Sequence, residues 1–167
     1  MKKDKLMLWF MMVLWLPMSM SCEETEMEAG SIVSLNSIPS LNRYDNLPLI
    51  GTAWKLIGFA DAHKSTIKIA EPAEGDCYTL LFNEDGTIDG VTSTNKIFGK
   101  YEVMKGRNII IKEFGGTKIN ELFDGPTDIE NLLNTKSYSI TEKGLALYHD
   151  GNRKYLLYKS LDYILLK

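Results

Sequence analysis

The residues equipped for chemistry in this chain are few: Cys22 and Cys77, His63 and His149, acid pairs such as Glu84/Asp85, and eight tyrosines. A nucleophilic thiol needs a base or a positive neighbour, and Cys77 follows an aspartate, Asp76, instead. Two histidines cannot supply the three or more spaced donors that a metal site requires, so both read as surface or turn residues. The Asp-Gly pairs at 85–86, 124–125 and 150–151 lack the alternating carboxylates and distal glutamate of a calcium loop, and read as hairpin and cap chemistry. The acid pairs fall in turn sequences, with nothing to bring two of them across a cleft. We therefore expect no catalytic residue, no metal and no cofactor.

The first cysteine stands at a seam. Residues 6–16 are an unbroken apolar run behind Lys2, Lys3 and Lys5, the length of a secretion-signal core and short for a membrane span. Pro17 ends the run, and Ser19, Met20 and Ser21 lead into Cys22. This arrangement resembles the lipobox of bacterial lipoproteins, with Ser19 in the place usually held by leucine. The resemblance implies a diacylglycerol on the Cys22 thiol and cleavage that leaves Cys22 as the acylated first residue of a mature, membrane-anchored protein. The alternative is an ordinary cleaved signal with an incidental cysteine. Glu23, Glu24 and Glu26, followed by Glu28, resemble the acidic export signal that sends lipoproteins to the outer face of the outer membrane. Their other reading is a solvated acidic spacer. The expected location is the outer membrane, lipid-anchored and exposed at the cell surface.

Charge separates the chain into three parts. Residues 1–21 carry +2, residues 22–50 carry -4, and residues 51–167 carry -1 of the total of -3. A nearly neutral domain has no surplus of cations to neutralise phosphates, which argues against nucleic acid as a partner. The expected division is a signal peptide over 1–21, an acidic tether and linker over 22–50 with a short edge strand at most, and one folded domain over 51–167.

Any functional group in that domain must be positioned by short apolar segments between turns. Trp54, Leu56 and Gly58 share one alternating face, as do Tyr78, Leu80 and Phe82. Residues 83–86 turn the chain into Thr87–Val91. A second hairpin runs from Ile97, Tyr101 and Val103 through residues 105–108 to residues 109–111. A third turns at residues 149–152. One helix is expected, with Asp124 or Thr127 as its cap, Pro126 in the first turn and Ile129, Leu132 and Leu133 facing the sheet. The apolar residues 161–167 read as a last strand, a cover for an open end, or a strand that docks a partner. The fold class is mainly β (α+β): a curved antiparallel sheet or partly open barrel of about eight strands with one amphipathic helix.

This order of elements resembles the META domain, also called HslJ-like. The resemblance is carried by Trp54 and Leu56, by Phe82, Gly86 and Gly90, by Asn95, by Gly99, Lys100 and Tyr101, by Leu132 and Leu133, and by residues 137–140 and 144–148. It covers roughly residues 51–159 and implies fold more than activity. Thr94 and residues 117–120 stand where many members of that family carry a cysteine pair, so a disulfide of that kind is ruled out. A lipocalin-like small barrel, which would enclose a ligand cavity, is the neighbouring fold reading. Tyr78, Tyr101, Tyr148 and Tyr155 are the candidate ligand-binding residues, since exposed rings suit sugars or peptides; core packing is their other reading. The expected function is a surface-anchored, non-enzymatic binding or interaction module for a small molecule, glycan or envelope protein. A structural or stress-protective envelope lipoprotein is the alternative, and an enzyme ranks last.

Overall fold

In the computed structural model, which describes residues 27–161, alternating burial and turn-forming residues divide those residues into ten strands, one α-helix and two short 3-10 turns. The order is β1 (Ile32–Ser34), β2 (Ala53–Asp61), β3 (Thr66–Ile69), β4 (Thr79–Phe82), β5 (Thr87–Val91), β6 (Lys96–Met104), β7 (Asn108–Gly116), α1 (Gly125–Leu133), β8 (Ser137–Thr141), β9 (Gly144–His149) and β10 (Lys154–Ser160). Glycines at positive φ make the reversals that the sequence announces: Gly86 (φ 82) between β4 and β5, and Gly106 (φ 79) between β6 and β7.

All strand pairings within the sheet are antiparallel. The first half of β2 pairs with β4 and its second half with β3, while β10 lies along its other edge. Eight strands, β2-β10-β9-β8-β7-β6-β5-β4, thus close into a ring, from which β3 and β1 extend as a flap. The closure is weakest between β7 and β8, which share the single registered pair Asn108↔Ser137. Helix α1, which precedes β8 in the chain, packs on both β7 and β10 and places Leu132 in the inner core. The expected fold class is therefore the observed one: a partly closed antiparallel sheet with one helix, and not a regular barrel.

A bulge lets β2 serve two cores. The register against β10 slips at Leu157/Tyr158, so Ile57 has no partner of its own. Trp54, Leu56 and Phe59 consequently face the ring interior, whereas Ile57 and Ala60 face outward. Gly58 is required beside the bulge, since a Cβ there would run into the Lys68 carbonyl. The inner core joins these residues to Tyr78, Phe82, Ile88, Leu145, Leu156 and Tyr158. Each fully buried large side chain contributes roughly 1.5–3 kcal/mol. The outer core is Ile38, Ala60, Ile67, Ile69 and Leu157.

Several expectations need correction. Ten strands are present where about eight were expected; β3 was unforeseen and β1 is the edge strand that the linker allowed. Packing begins ahead of residue 51, because Ile38, Tyr44 and Leu49 are buried against the sheet and the Leu41 N–H donates to the Glu142 carbonyl at 2.6 Å. The helix turns Gly125, Asp128 and Leu132 inward, while Leu133 is exposed. The lipocalin-like reading fails at the cavity: Trp54, Tyr78, Phe82 and Tyr158 fill the ring. Of the C-terminal segment, only Leu161 is described, with its N–H on the Ala53 carbonyl at 2.8 Å; residues 162–167 lie outside the described residues. Among the described residues no helix is long and apolar enough to cross a membrane.

Candidate functional site

The densest polar chemistry lies where the β5–β6 loop meets the segment between β7 and α1. Glu121 is the hub. Its carboxylate accepts from the hydroxyls of Thr92 (2.6 Å), Ser93 (2.6 Å) and Thr94 (3.3 Å) and from the Asn95 amide nitrogen (2.5 Å). Burial works to raise the carboxyl pKa, but the bonds from Ser93, Thr92, Asn95 and Thr94 outweigh it and hold the group below its usual range. Asn95 then clamps the other strand of the loop. Its amide oxygen accepts from the Thr117 hydroxyl (2.7 Å) and the Ile119 N–H (2.9 Å), and its amide nitrogen donates to the Ile119 carbonyl (2.7 Å). Thr94 donates to the Asn120 carbonyl at 3.2 Å, so the two places where the META resemblance allows a cysteine pair are joined by a hydrogen bond.

A second group of acids and phenols lies under α1. Asp124 precedes the helix and is bound to the flap: Lys68 pairs with its carboxylate, and the Glu71 N–H donates to it at 2.9 Å. Asp128, one turn further on, is 3% exposed and accepts from the Tyr158 hydroxyl, while its Oδ1 has no partner. Burial, with Glu121 and Asp124 nearby, pushes the Asp128 carboxyl up to about 7. Burial and then Asp128 raise Tyr158 well above the usual phenol range; burial and then Asp124 raise Tyr78. The Tyr78 hydroxyl donates to the Glu71 carbonyl at 2.6 Å. These groups tie helix, flap and ring together.

The sequence-derived tyrosines separate into two places. Tyr78 and Tyr101 are core residues, the latter set edge-on to Phe82 at 5.1 Å with its hydroxyl on the Asn83 carbonyl. Tyr148 and Tyr155 are register partners on β9 and β10 and lie half-buried on the outer face, ring centroids 5.0 Å apart. Tyr148 also meets the Ser139 hydroxyl at 3.1 Å. A groove of about 460 Å³ runs along the outer side of β4, β5 and β6, lined in part by Leu81, Asp89, Val91, Lys96 and Phe98.

The thiol and the two histidines lie in separate places. The Cys77 thiol is set against the Ser93 carbonyl at 3.5 Å, and its own carbonyl is capped by the buried Lys55 ammonium. Burial, the largest cause, lowers the Lys55 pKa. His63 lies in the exposed β2–β3 turn, whereas His149, expected at a surface or turn, is buried at the end of β9, where burial and Lys154 lower its pKa. Among the described residues no three His, Cys, Asp or Glu side chains converge as metal ligands. Cys22, Glu23, Glu24 and Glu26 lie outside the described residues.

Sequence reasoning missed Glu121, Asp124 and Asp128 as a set. The available signal was positional: Gly125, Asp128, Leu132 and Thr135 recur at helical spacing and form the buried side.

No protein-family model and no curated protein matches the chain. Two solved structures are similar to it. One, a DUF4847 family protein from Bacteroides vulgatus ATCC 8482, is 20% identical over 66% of this chain and 92% of its own, with a TM-score of 0.49. The other, a protein from Burkholderia xenovorans determined by NMR, is 19% identical over 83% of this chain and 95% of its own, with a TM-score of 0.52. The Burkholderia likeness is one of fold alone.

Proposed function

We propose that the chain is a bacterial lipoprotein of META-like type, anchored through acylated Cys22, routed by Glu23, Glu24 and Glu26 to the surface of the outer membrane, and acting there as a non-enzymatic interaction module. The supporting observation is the distribution of its groups. The acids under α1 are buried, Asp124 against Lys68 and the Glu71 N–H and Asp128 against the Tyr158 hydroxyl, and the ring is filled. The outer surface, in contrast, carries the Tyr148/Tyr155 pair and the groove beside Phe98. Such a surface suits binding of a glycan, peptide or envelope protein by stacking and apolar contact rather than turnover.

Cys22→Ser tests the anchor. The native chain should incorporate labelled palmitate and sediment with outer membranes, and the variant should lose both properties. Protection of the native chain from protease added to whole cells would refute surface display. Binding itself is read by thermal shift against panels of glycans, peptides and envelope proteins. Chemical conversion of any panel compound would overturn the non-enzymatic assignment.

A further inference from the structure

We infer that the loop between β7 and α1 lies in the interface of the membrane that bears the lipid anchor, an inference that rests on the Cys22 acylation proposed above. Residues 117–124 expose Ile119, Leu122 and Phe123 at 62%, 54% and 64%. Single exposed apolar residues are ordinary on a folded protein, but three within five positions form a surface that water solvates poorly.

The loop cannot simply fold these side chains away. Its backbone is pinned by Asn95 at Ile119, by the Ser93 hydroxyl accepting from the Leu122 N–H at 3.1 Å, and by the Lys68–Asp124 pair. Phe123 sits at φ 50, a left-handed conformation that the flanking bonds impose on a bulky residue. A loop held this firmly while presenting three apolar groups is built to meet a surface.

The path of the chain identifies that surface. The Gly30 N–H donates to the Ile69 carbonyl at 3.0 Å, and Ile32 is the register partner of Lys68. The Lys68 ammonium pairs with Asp124, the residue after Phe123. The start of the described chain and the apolar loop therefore share one side of the molecule, and Ile32, 72% exposed, adds a fourth apolar side chain there. Five residues of chain lead from Cys22 to Met27. Fully extended, they reach at most about 18 Å. An acylated Cys22 so close to this side brings the bilayer to the loop, where the headgroup boundary accepts Ile, Leu and Phe side chains more readily than water does.

The test uses the full-length chain, processed in a Gram-negative host and reconstituted into phosphatidylcholine/phosphatidylethanolamine vesicles with or without dibrominated phosphatidylcholine. Phe123→Trp and, independently, Leu122→Trp place a reporter in the loop; Trp54 lies at 0% exposure inside the ring, and its emission is subtracted with the native chain. Emission at shorter wavelength, with loss of most of its intensity in brominated vesicles, is the expected result for both variants. Solvent-like, unquenched emission from protein whose mass shows acyl chains on Cys22 overturns the loop assignment and leaves the anchor intact. Short-wavelength emission that bromine does not quench places a protein surface over the loop and also overturns it. A mass without acyl chains overturns anchor and loop together.

Discussion

Glu121→Ala should destabilise the fold by about 3 kcal/mol and lower Tm by on the order of 10 °C, more than any conservative change in the same loop. The carboxylate gathers the Thr92, Ser93 and Thr94 hydroxyls and the Asn95 amide, and two of those donors, on Thr92 and Asn95, belong to buried residues. Alanine removes the common acceptor without removing the donors, which then remain desolvated. Glu121→Gln retains one acceptor oxygen and a similar shape, so about half the loss is expected. Urea unfolding of both variants checks the order. A loss below about 1 kcal/mol for the alanine variant would show that the hub contributes no more than an ordinary surface contact. The same variant should expose residues 117–124 to proteolysis while the strands stay protected, because the hub joins that segment to the β5–β6 loop.

Asp128 is expected to make the stability depend on pH across the neutral range. Its carboxyl ionises near 3.8 in an unstructured chain and at about 7 in the fold. The folded state thus binds this proton more tightly, so its contribution is complete below the unfolded value and is lost as pH rises through the folded value. The loss saturates at about 4 kcal/mol. Asn at this position has nearly the shape of the protonated acid and cannot ionise. The advantage of Asp128→Asn over the native chain should therefore widen by about 3 kcal/mol between about pH 5 and about pH 8. Stability curves that run parallel over that interval would mean that the carboxyl titrates at its ordinary value. Glu121, Asp124, Tyr78 and Tyr158 surround the group in both proteins, so the difference between the curves isolates Asp128.

What could be read from the sequence was local. The turns at residues 83–86 and 105–108 carry glycines whose conformation the chain reversal demands, and the strands beside them alternate cleanly. Pro126 and the spacing of Ile129, Leu132 and Leu133 mark the one helix, which the fold forms over Gly125–Leu133. The hidden parts depend on distant neighbours. β3 is four residues long and becomes a strand because Gly58 admits its backbone and β1 covers its other edge. No alternation pattern marks the bulge at Ile57, which appears only against β10. Of the three apolar residues spaced to face the sheet, Leu132 is buried and Leu133 is exposed, and Asp128 turns inward although a charged side chain is costly to bury. A carboxyl whose ionisation is held back to about 7 by burial escapes part of that cost, and nothing in the local sequence announces it. The candidate tyrosines divided for a similar reason: alternation shows that two residues share a face, but the ring determines which face is inside.

The pairing of β2 with β10 also governs when the protein can become itself. Among the described strands β2 comes early and β10 last, yet seven register pairs join them, and no ring exists until both are present. Contacts spanning nearly a hundred residues form slowly because a large loop must close first. The β4–β5 and β6–β7 hairpins join near neighbours in the sequence and can form before the ring closes. The same strand order that closes the sheet therefore makes the ring wait for β10, whatever hairpins have formed before it.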